Sequence, residues 1–272
     1  VVLCDRAASH PGASTRVIAE ARYLKGKALL ERGDRAGAER ALLDAVEAEP
    51  NLSAPHVLLA LFYLEEKRAP ELVELFERIV SESPAILLGY MVIGMAHERV
   101  GNRAEANAAY RRALAVKPDF APAANHLAWN LASGDGGLEE ALALARTAKA
   151  GMPDDPHVSD TLGWIYHRLG HPWKAAAELE QAVSRHPHNP VFNHHLGAVY
   201  LKAGEPRKAE IFLKRALEGG DSFPGAEDAR RLLEIVERRT VQALQRLSRF
   251  SLDTVFERSQ EWGKCDRPST PL

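Results

Sequence analysis

The sequence predicts an all-α protein built as a solenoid, in which one pair of helices follows another along the chain. Three observations support this fold class. Aromatic residues make up only 7% of the chain, and β-branched residues are sparse beside Ala and Leu, which favours helices over strands. Small residues recur at fixed distances from a series of prolines. Those prolines are spaced by 34 or 35 residues, a period typical of repeat architectures, and they are Pro50, Pro84, Pro118, Pro153 and Pro187.

The composition excludes several classes of protein. The 272 residues are 46% hydrophobic and 26% charged, which is typical of an ordered chain. The net charge is -2, so the basic excess that most nucleic-acid-binding proteins carry is missing. No apolar run approaches the roughly 18 residues that a membrane-spanning helix requires. Cys4 and Cys265 lie at opposite ends of the chain, which excludes a disulfide framework and a thiolate metal site.

Two positions of the repeat hold small residues, with Leu72 as the exception, when each repeat is counted so that its proline is position 32. We expect them to let two antiparallel helices approach closely, while larger apolar residues at positions 7, 11 and 24 fill the surrounding space. Position 8 holds Gly26, Ala60, Gly94, Ala128, Gly163 and Gly197. Position 20 holds Ala38, Leu72, Ala106, Ala141, Ala175 and Ala209.

Glycine and proline mark the ends of the predicted helices. A glycine near position 15 suits the left-handed conformation that follows a helix C-terminus. Asp155 and Asn189 each precede a proline, a pair typical of an N-cap and the first helical residue. The spacing of 35 comes from one extra residue in a longer turn over 133–137. The glycines near position 15 are Gly33, Gly101, Gly170 and Gly204.

This pattern resembles the tetratricopeptide repeat (TPR). The fifth repeat carries the signature of that family at Leu162, Gly163, Tyr166, Ala175, Leu179, Ala182 and Pro187. The resemblance implies a right-handed superhelix of six helix-turn-helix repeats, which start near residues 19, 53, 87, 121, 156 and 190 and occupy residues 19–223. A period of 35 and a basic surface would instead indicate a pentatricopeptide array that binds RNA.

The two ends of the chain are expected to differ from the repeats. Residues 1–18 form an N-terminal extension, expected to be extended, with the remnant of a lipoprotein signal at Cys4 as the alternative. Because the chain begins without Met, its natural N-terminus is expected to be missing. Residues 224–260 are predicted to be a capping or extra helix that covers the open end of the solenoid. Residues 261–272 are predicted to be a disordered tail.

Neither an enzyme nor a cofactor is indicated. The eleven histidines do not fall at metal-ligand spacing, and no His-Glu-x-x-His motif accompanies them. No serine or cysteine lies in a nucleophile elbow. We therefore predict no catalytic residues, no metal and no cofactor, and a His-rich metal-binding protein remains the less favoured alternative.

The candidate site is the concave groove, which the resemblance implies is lined by the first helix of each repeat. Its first half is predicted to be apolar, and its second half aromatic and polar. Trp129 and Trp164 occupy position 9 of consecutive repeats, so we expect them to be neighbours that bind a ligand or, alternatively, pack against helices. The candidate groove residues are Val57, Leu61, Met91, Met95, Asn125, Trp129, His157, Asp160, Trp164, His167, Arg168 and His194.

The function predicted from these features is that of a non-enzymatic scaffold that binds a partner peptide or helix. Residues 125–129, 160–164 and 223–227 also resemble bacterial TPR proteins associated with the cell envelope and exopolysaccharide export. That likeness favours a periplasmic or envelope location, with the cytoplasm as the alternative. The predicted partners are a protein or peptide and a second copy of the chain, with no nucleic acid and no membrane span. The competing hypothesis is an architectural protein that self-associates through its C-terminal helix.

Overall fold

The computed structural model describes residues 1–134, 136–220 and 222–242, and in these ranges every regular element is a helix. The chain forms two compact units, Val1–Pro153 and Asp154–Leu272, which we call the N-terminal and C-terminal units. The N-terminal unit contains α1 (Val2–Ala8), α2 (Thr15–Glu31), α3 (Arg35–Ala48), α4 (Ser53–Glu65), α5 (Ala69–Glu82), α6 (Leu87–Arg99), α7 (Arg103–Val116), α8 (Ala121–Ala132) and α9 (Leu138–Gly151). The C-terminal unit contains α10 (Pro156–Arg168), α11 (Pro172–Arg185), α12 (Pro190–Lys202), α13 (Pro206–Leu217) and α14 (226–242).

Within each unit, consecutive helices pack as pairs, and each pair packs on the next. The all-α class and the succession of helix pairs predicted from the 34-residue period are therefore confirmed. Among the described residues, no helix is both long and apolar enough to cross a membrane.

The predicted left-handed glycines close the first helix of four pairs. Gly33, Gly101, Gly170 and Gly204 have φ angles of 79°, 83°, 80° and 82°. After α2, the Asp34 N–H donates to the Leu29 carbonyl at 2.9 Å, and the Gly33 N–H donates to the Leu30 carbonyl at 3.0 Å. These two bonds define a Schellman motif, which satisfies carbonyls that the helix end leaves without a partner.

The second pair closes in the same way without a glycine. Lys67 has a φ of 59°, and the Arg68 N–H donates to the Tyr63 carbonyl at 2.8 Å. A side chain in this conformation is strained because its Cβ approaches the following carbonyl oxygen. The surrounding packing therefore holds Lys67 in the left-handed conformation that glycine adopts in four other pairs. The sequence did not predict this feature.

Position 8 is the point of closest approach within a pair, as predicted. A Cβ added to Gly163 would lie 2.7 Å from Leu179 Cγ and 3.1 Å from the Ala175 carbonyl oxygen. At Gly197, the same atom would lie 2.7 Å from Leu213 Cγ. The glycines thus make room for the leucine at position 24 of the partner helix.

The predicted N-caps before proline are also present. The Asp155 carboxylate accepts from the His157 N–H at 2.8 Å, and α10 begins at Pro156. The Asn189 side chain accepts from the N–H groups of Val191 and Phe192, at the start of α12. Each cap satisfies donors that the first helical turn cannot satisfy by itself.

The N-terminal segment differs from the extended conformation predicted for it. Residues Val2–Ala8 form α1, which packs against α2, and Asp5 Oδ1 accepts from Lys25 Nζ at 2.6 Å. Leu, Ala and Arg in this stretch are good helix formers, and the ion pair fastens the short helix to the next one. In addition, α2 begins at Thr15, where the Ser14 side chain accepts from the Val17 N–H.

The C-terminal end of the described chain is covered by α14. Ala229 and Val236 are fully buried in the cluster that includes Leu196 of α12 and Leu213 of α13. The predicted capping segment 224–260 is described only as far as residue 242. Its remainder and the tail predicted over 261–272 lie outside the described residues.

Candidate functional site

The N-terminal unit carries a groove of about 750 Å³ along the first helices of its pairs. Leu61 and Met95 stand in it with 57% and 39% of their surface exposed, although both are apolar. Exposed apolar side chains grouped in a groove are typical of binding surfaces. We call this surface the apolar groove; it is lined by Leu30, Leu58, Leu61, Phe62, Leu64, Glu65, Met95, Glu98, Arg99 and His126.

The four candidate residues of this half of the site separate by position in the repeat. Leu61 and Met95, at position 9, lie in the apolar groove. Met91, at position 5, is only 7% exposed and belongs to the core, whereas Val57 is 51% exposed and lies outside the groove lining. In these two repeats the residue at position 9 therefore lines the groove, whereas the residue at position 5 does not.

One end of the apolar groove carries a fixed negative charge. Glu98 accepts from Asn130 Nδ2 at 2.8 Å and lies 3.4 Å from His126 Nδ1. Burial acts to raise the pKa of Glu98, but the interactions with His126, Asn130 and Tyr110 outweigh it and hold the pKa below its usual range. A ligand in this groove would therefore meet an ionised carboxylate beside apolar side chains.

Two further candidates of the N-terminal unit lie on α8 and are partly buried. The Asn125 Oδ1 atom is buried without a hydrogen-bond partner in the described part of the chain. Trp129 is partly buried and lies outside the apolar groove lining. Because Trp129 and Trp164 belong to different units, their predicted proximity stays a prediction.

In the C-terminal unit, the structure brings several candidates together around Trp164. The indole ring stacks on the His195 ring at a centroid distance of 4.2 Å and on the His167 ring at 4.9 Å. His195 Nδ1 lies 2.7 Å from Asp160 Oδ1, and both side chains are buried. Trp164 therefore contributes to packing, one of the two alternatives predicted for it, while ligand binding by its exposed part stays a prediction.

His194 connects α12 to α14. Its Nε2 atom lies 2.9 Å from Asp228 Oδ2, and only 6% of the His194 side chain is exposed. Burial is the main cause that lowers the pKa of His194, with the charge of His195 acting in the same direction and Asp228 opposing both. The sequence marked His194 as a candidate but missed Asp228, because the pairing depends on how α14 packs on α12.

The surroundings of His167 and His194 favour the neutral forms of these two histidines. Burial, with smaller contributions from Lys202 and other nearby positive charges, lowers the pKa of His167 to about 4. Burial acts to raise the pKa of Asp228, but hydrogen bonds with His194 and Arg231 outweigh it and keep the pKa low. At neutral pH the imidazoles of His167 and His194 are thus neutral, and the Asp228 carboxylate is ionised.

A pocket of about 470 Å³ opens between α10, α12 and α14, with Trp164 in its wall. Two of the remaining candidates lie elsewhere on the surface. His157 is exposed and packs edge-on against Phe192 at 5.2 Å, and Arg168 is exposed at the end of α10. We call the pocket the basic pocket; it is lined by Trp164, His167, Ala198, Leu201, Lys202, Asp228, Arg231, Leu232 and Arg239.

The described residues contain no group of three or more His, Cys, Asp or Glu side chains arranged to hold a metal ion. The apolar groove and the basic pocket instead offer concave surfaces with apolar and charged side chains, most of them on the first helices of helix pairs. Helix pairs stacked one on the next within each unit define a helical repeat protein.

The chain belongs to the tetratricopeptide repeat family. Models of the tetratricopeptide repeat match residues 23–85, 91–156 and 166–230, which is well over half of the 272 residues. A TPR repeat-containing protein of Pseudomonas aeruginosa, PA4667, is 36% identical over 93 residues. That match covers 34% of this chain and 16% of the relative, so it spans about a sixth of the relative's length.

Solved structures show the same fold. The Cut9–Hcn1 hetero-tetramer of the APC/C matches with a TM-score of 0.65 and 18% identity, over 85% of this chain and 44% of that one. PilW, a type IV pilus biogenesis factor, matches with a TM-score of 0.56 and 19% identity, over 69% of this chain and 91% of that one. At these identities, the likeness establishes the fold and no shared partner.

Proposed function

We propose that this protein is a non-enzymatic scaffold that binds a peptide or helix of a partner protein along the first helices of its repeats. The observation that carries the proposal is the apolar groove, where Leu61 and Met95 are exposed side by side with other apolar residues. Tetratricopeptide repeat proteins bind protein or peptide partners, and nothing in the described residues points to a catalytic site.

The chemistry of the groove favours an amphipathic segment as the occupant. Leu58, Leu61, Leu64 and Met95 present flexible aliphatic and thioether surface that can adapt to apolar side chains of a ligand. Glu98 and Arg99 at the edge can pair with polar groups of the same segment. Burial of the apolar part supplies affinity, and the charged rim fixes the orientation.

A finer proposal places the scaffold in a bacterial envelope or exopolysaccharide export assembly. It is supported by the resemblance of residues 125–129, 160–164 and 223–227 to bacterial proteins of that kind. The other candidate residues of the groove remain part of the proposed binding surface, on the basis of the resemblance to the repeat family. The architectural alternative, self-association through the C-terminal helix, depends largely on residues beyond 242, which lie outside the described residues.

The scaffold proposal is tested by replacing the exposed apolar residues of the groove with a charged residue. We expect Leu61→Glu combined with Met95→Glu to abolish capture of the proteins that the unmodified chain retains from an extract of its source organism. A buried or half-buried apolar contact replaced by an unpaired carboxylate is strongly unfavourable for binding. The measurement is quantitative mass spectrometry of the captured proteins.

Val116→Glu is the matched control, since Val116 is 45% exposed and lies on a second helix, away from the groove. Its capture profile should equal that of the unmodified chain. If the double variant stays helical and still retains the same proteins, the apolar groove is not the binding surface.

A further inference from the structure

The basic pocket of the C-terminal unit offers a recognition chemistry that the apolar groove lacks. We propose that it binds the carboxylate side chains of an acidic segment in a partner polypeptide. The inference rests on the proposed scaffold function and specifies the chemistry of its partner at a second place.

The charges that line the pocket are unequal. Lys202, Arg231 and Arg239 face a single carboxylate, that of Asp228. Asp228 is already engaged on both oxygens, since Oδ2 lies 2.9 Å from His194 Nε2 and Oδ1 accepts from Arg231 Nη2 at 2.5 Å. The ion pair with Arg231 therefore neutralises Asp228, and the charges of Lys202 and Arg239 are left in excess.

Both remaining cations are available to a ligand. Lys202 Nζ donates to the His167 carbonyl oxygen at 3.0 Å, which holds the ammonium group at the pocket wall and leaves two of its three N–H donors for other acceptors. Among the described residues, Arg239 has no carboxylate within ion-pairing distance. A carboxylate between these two groups would gain charge-assisted hydrogen bonds from both.

One side of the pocket is apolar, and its main side chain is fixed in place by ring stacking. Trp164 is held by its stacking on His167 and His195, and Leu201 and Leu232 lie beside it. The His167 Nδ1 atom is buried without a hydrogen-bond partner in the described part of the chain. An acidic residue next to an apolar one would match this combination of cations and apolar wall, because ion pairs strengthen where water is partly excluded.

The size of the pocket favours a polypeptide over a nucleic acid. About 470 Å³ accommodates a few side chains, whereas nucleic acids are held by extended rows of cations along a phosphate backbone. The whole chain carries a net charge of -2, without the overall basic excess typical of nucleic-acid-binding proteins. A short acidic segment is the ligand whose charge and dimensions both fit.

The test is a titration of the full-length, ¹⁵N-labelled chain with the blocked peptide acetyl-Glu-Leu-Glu-Leu-Glu-amide. The indole N–H resonance of Trp164, identified by its loss in Trp164→Phe, should shift and saturate at submillimolar peptide. The same peptide with Gln in place of Glu should produce no shift. Lys202→Gln and Arg239→Gln should each weaken binding at least about fivefold, in line with the loss of one charge pair.

Arg238→Gln is the matched control. Arg238 is the neighbour of Arg239 on α14, pairs with Glu234 at 2.9 Å and does not line the pocket. Equal binding by the Gln peptide, or equal affinity of the Arg239→Gln and Arg238→Gln variants, would overturn the inference. Tighter binding of polyuridylate or of phosphatidylglycerol vesicles, lost in Arg239→Gln, would overturn it in favour of those ligands.

The two proposals fail separately. If the Leu61 and Met95 variants lose their captured proteins while the acidic peptide leaves Trp164 unshifted, the scaffold function stands and the acidic ligand is wrong. If the peptide shifts the indole resonance of Trp164, but the double variant of Leu61 and Met95 captures the same proteins as the unmodified chain, the apolar groove is not the main binding surface.

Discussion

At the scale of single residues, conformational strain and burial are concentrated at a few positions of the repeat. Lys67 adopts the left-handed backbone that glycine adopts in four other pairs, and Gly163 lies where a Cβ would meet Leu179. His167 sits in an environment that disfavours its charged form. Two of these residues give direct tests of the structure.

Replacing Lys67 with glycine should stabilise the chain. The left-handed conformation costs a residue with a Cβ about 1–2 kcal/mol, and the extra freedom of glycine in the unfolded chain offsets part of that gain. We expect Lys67→Gly to raise the free energy of unfolding by about 0.5–1 kcal/mol, measured by urea denaturation. Lys67→Ala keeps the Cβ and should give no such gain; a gain of the same size would show that strain is not the cause.

The low pKa of His167 predicts that stability falls as the solution is acidified. The unfolded chain takes up a proton near the ordinary pKa of 6.5, while the folded chain resists it until about pH 4. Stability is therefore lost progressively as pH falls from 6.5 towards 4. The low pKa of His194 acts in the same direction.

His167→Gln should reduce this acid sensitivity. The quantity to compare is the difference in melting temperature between pH 7.5 and pH 5, because the loss of the ring stacked on Trp164 lowers stability at both pH values. His188→Gln, at an exposed position, should leave the difference unchanged. The interpretation is wrong if both variants show the full acid sensitivity of the original chain.

At the scale of helices, α14 closes the C-terminal unit. Ala229 and Val236 are fully buried against the cluster of α12 and α13, and the pair between His194 and Asp228 joins α12 to α14. A terminal helix pair without such a cover would leave its apolar side in water. Stability and the shape of the basic pocket therefore depend on the same helix.

A chain that ends at residue 223 should be less stable than one that ends at residue 242. Removal of α14 exposes the apolar surface beneath Val236 and Ala229, which corresponds to about 3 kcal/mol or more. Thermal melting and the binding of an apolar dye would measure the loss. The chain ending at 242 separates the contribution of α14 from that of later residues, and equal melting of the two chains would exclude a capping role.

At the scale of the whole molecule, the 34-residue period predicted the helix pairs, their glycine closures and the close approach at position 8. These features depend on contacts within one repeat or between neighbouring helices, which a periodic sequence records directly. The helix at Val2–Ala8 was missed because a single short helix has no period, and its packing on α2 and the ion pair between Asp5 and Lys25 follow no repeat pattern.

The site was predicted less completely than the fold. Leu61 and Met95, two of the predicted groove residues, are exposed and line a pocket, but the sequence did not separate them from Met91, which is buried. Arg239 and Asp228 could not be assigned to a pocket, since α14 carries no repeat signature and its face is set by packing against α12. Non-periodic contacts of this kind are visible only in three dimensions.

The separation of positions within one repeat has a consequence for how such a protein can change over generations. In the N-terminal unit, positions 8 and 24 bury the residues that hold a pair together, whereas position 9 delivers Leu61 and Met95 to the surface. Because the two sets share no member there, under the proposed function a substitution at Leu61 or Met95 alters what is recognised and leaves the contacts of positions 8 and 24 intact. These two repeats could thus acquire new partners one at a time without refolding the protein, whereas Trp164, at the same position of a later repeat, also packs on two histidine rings.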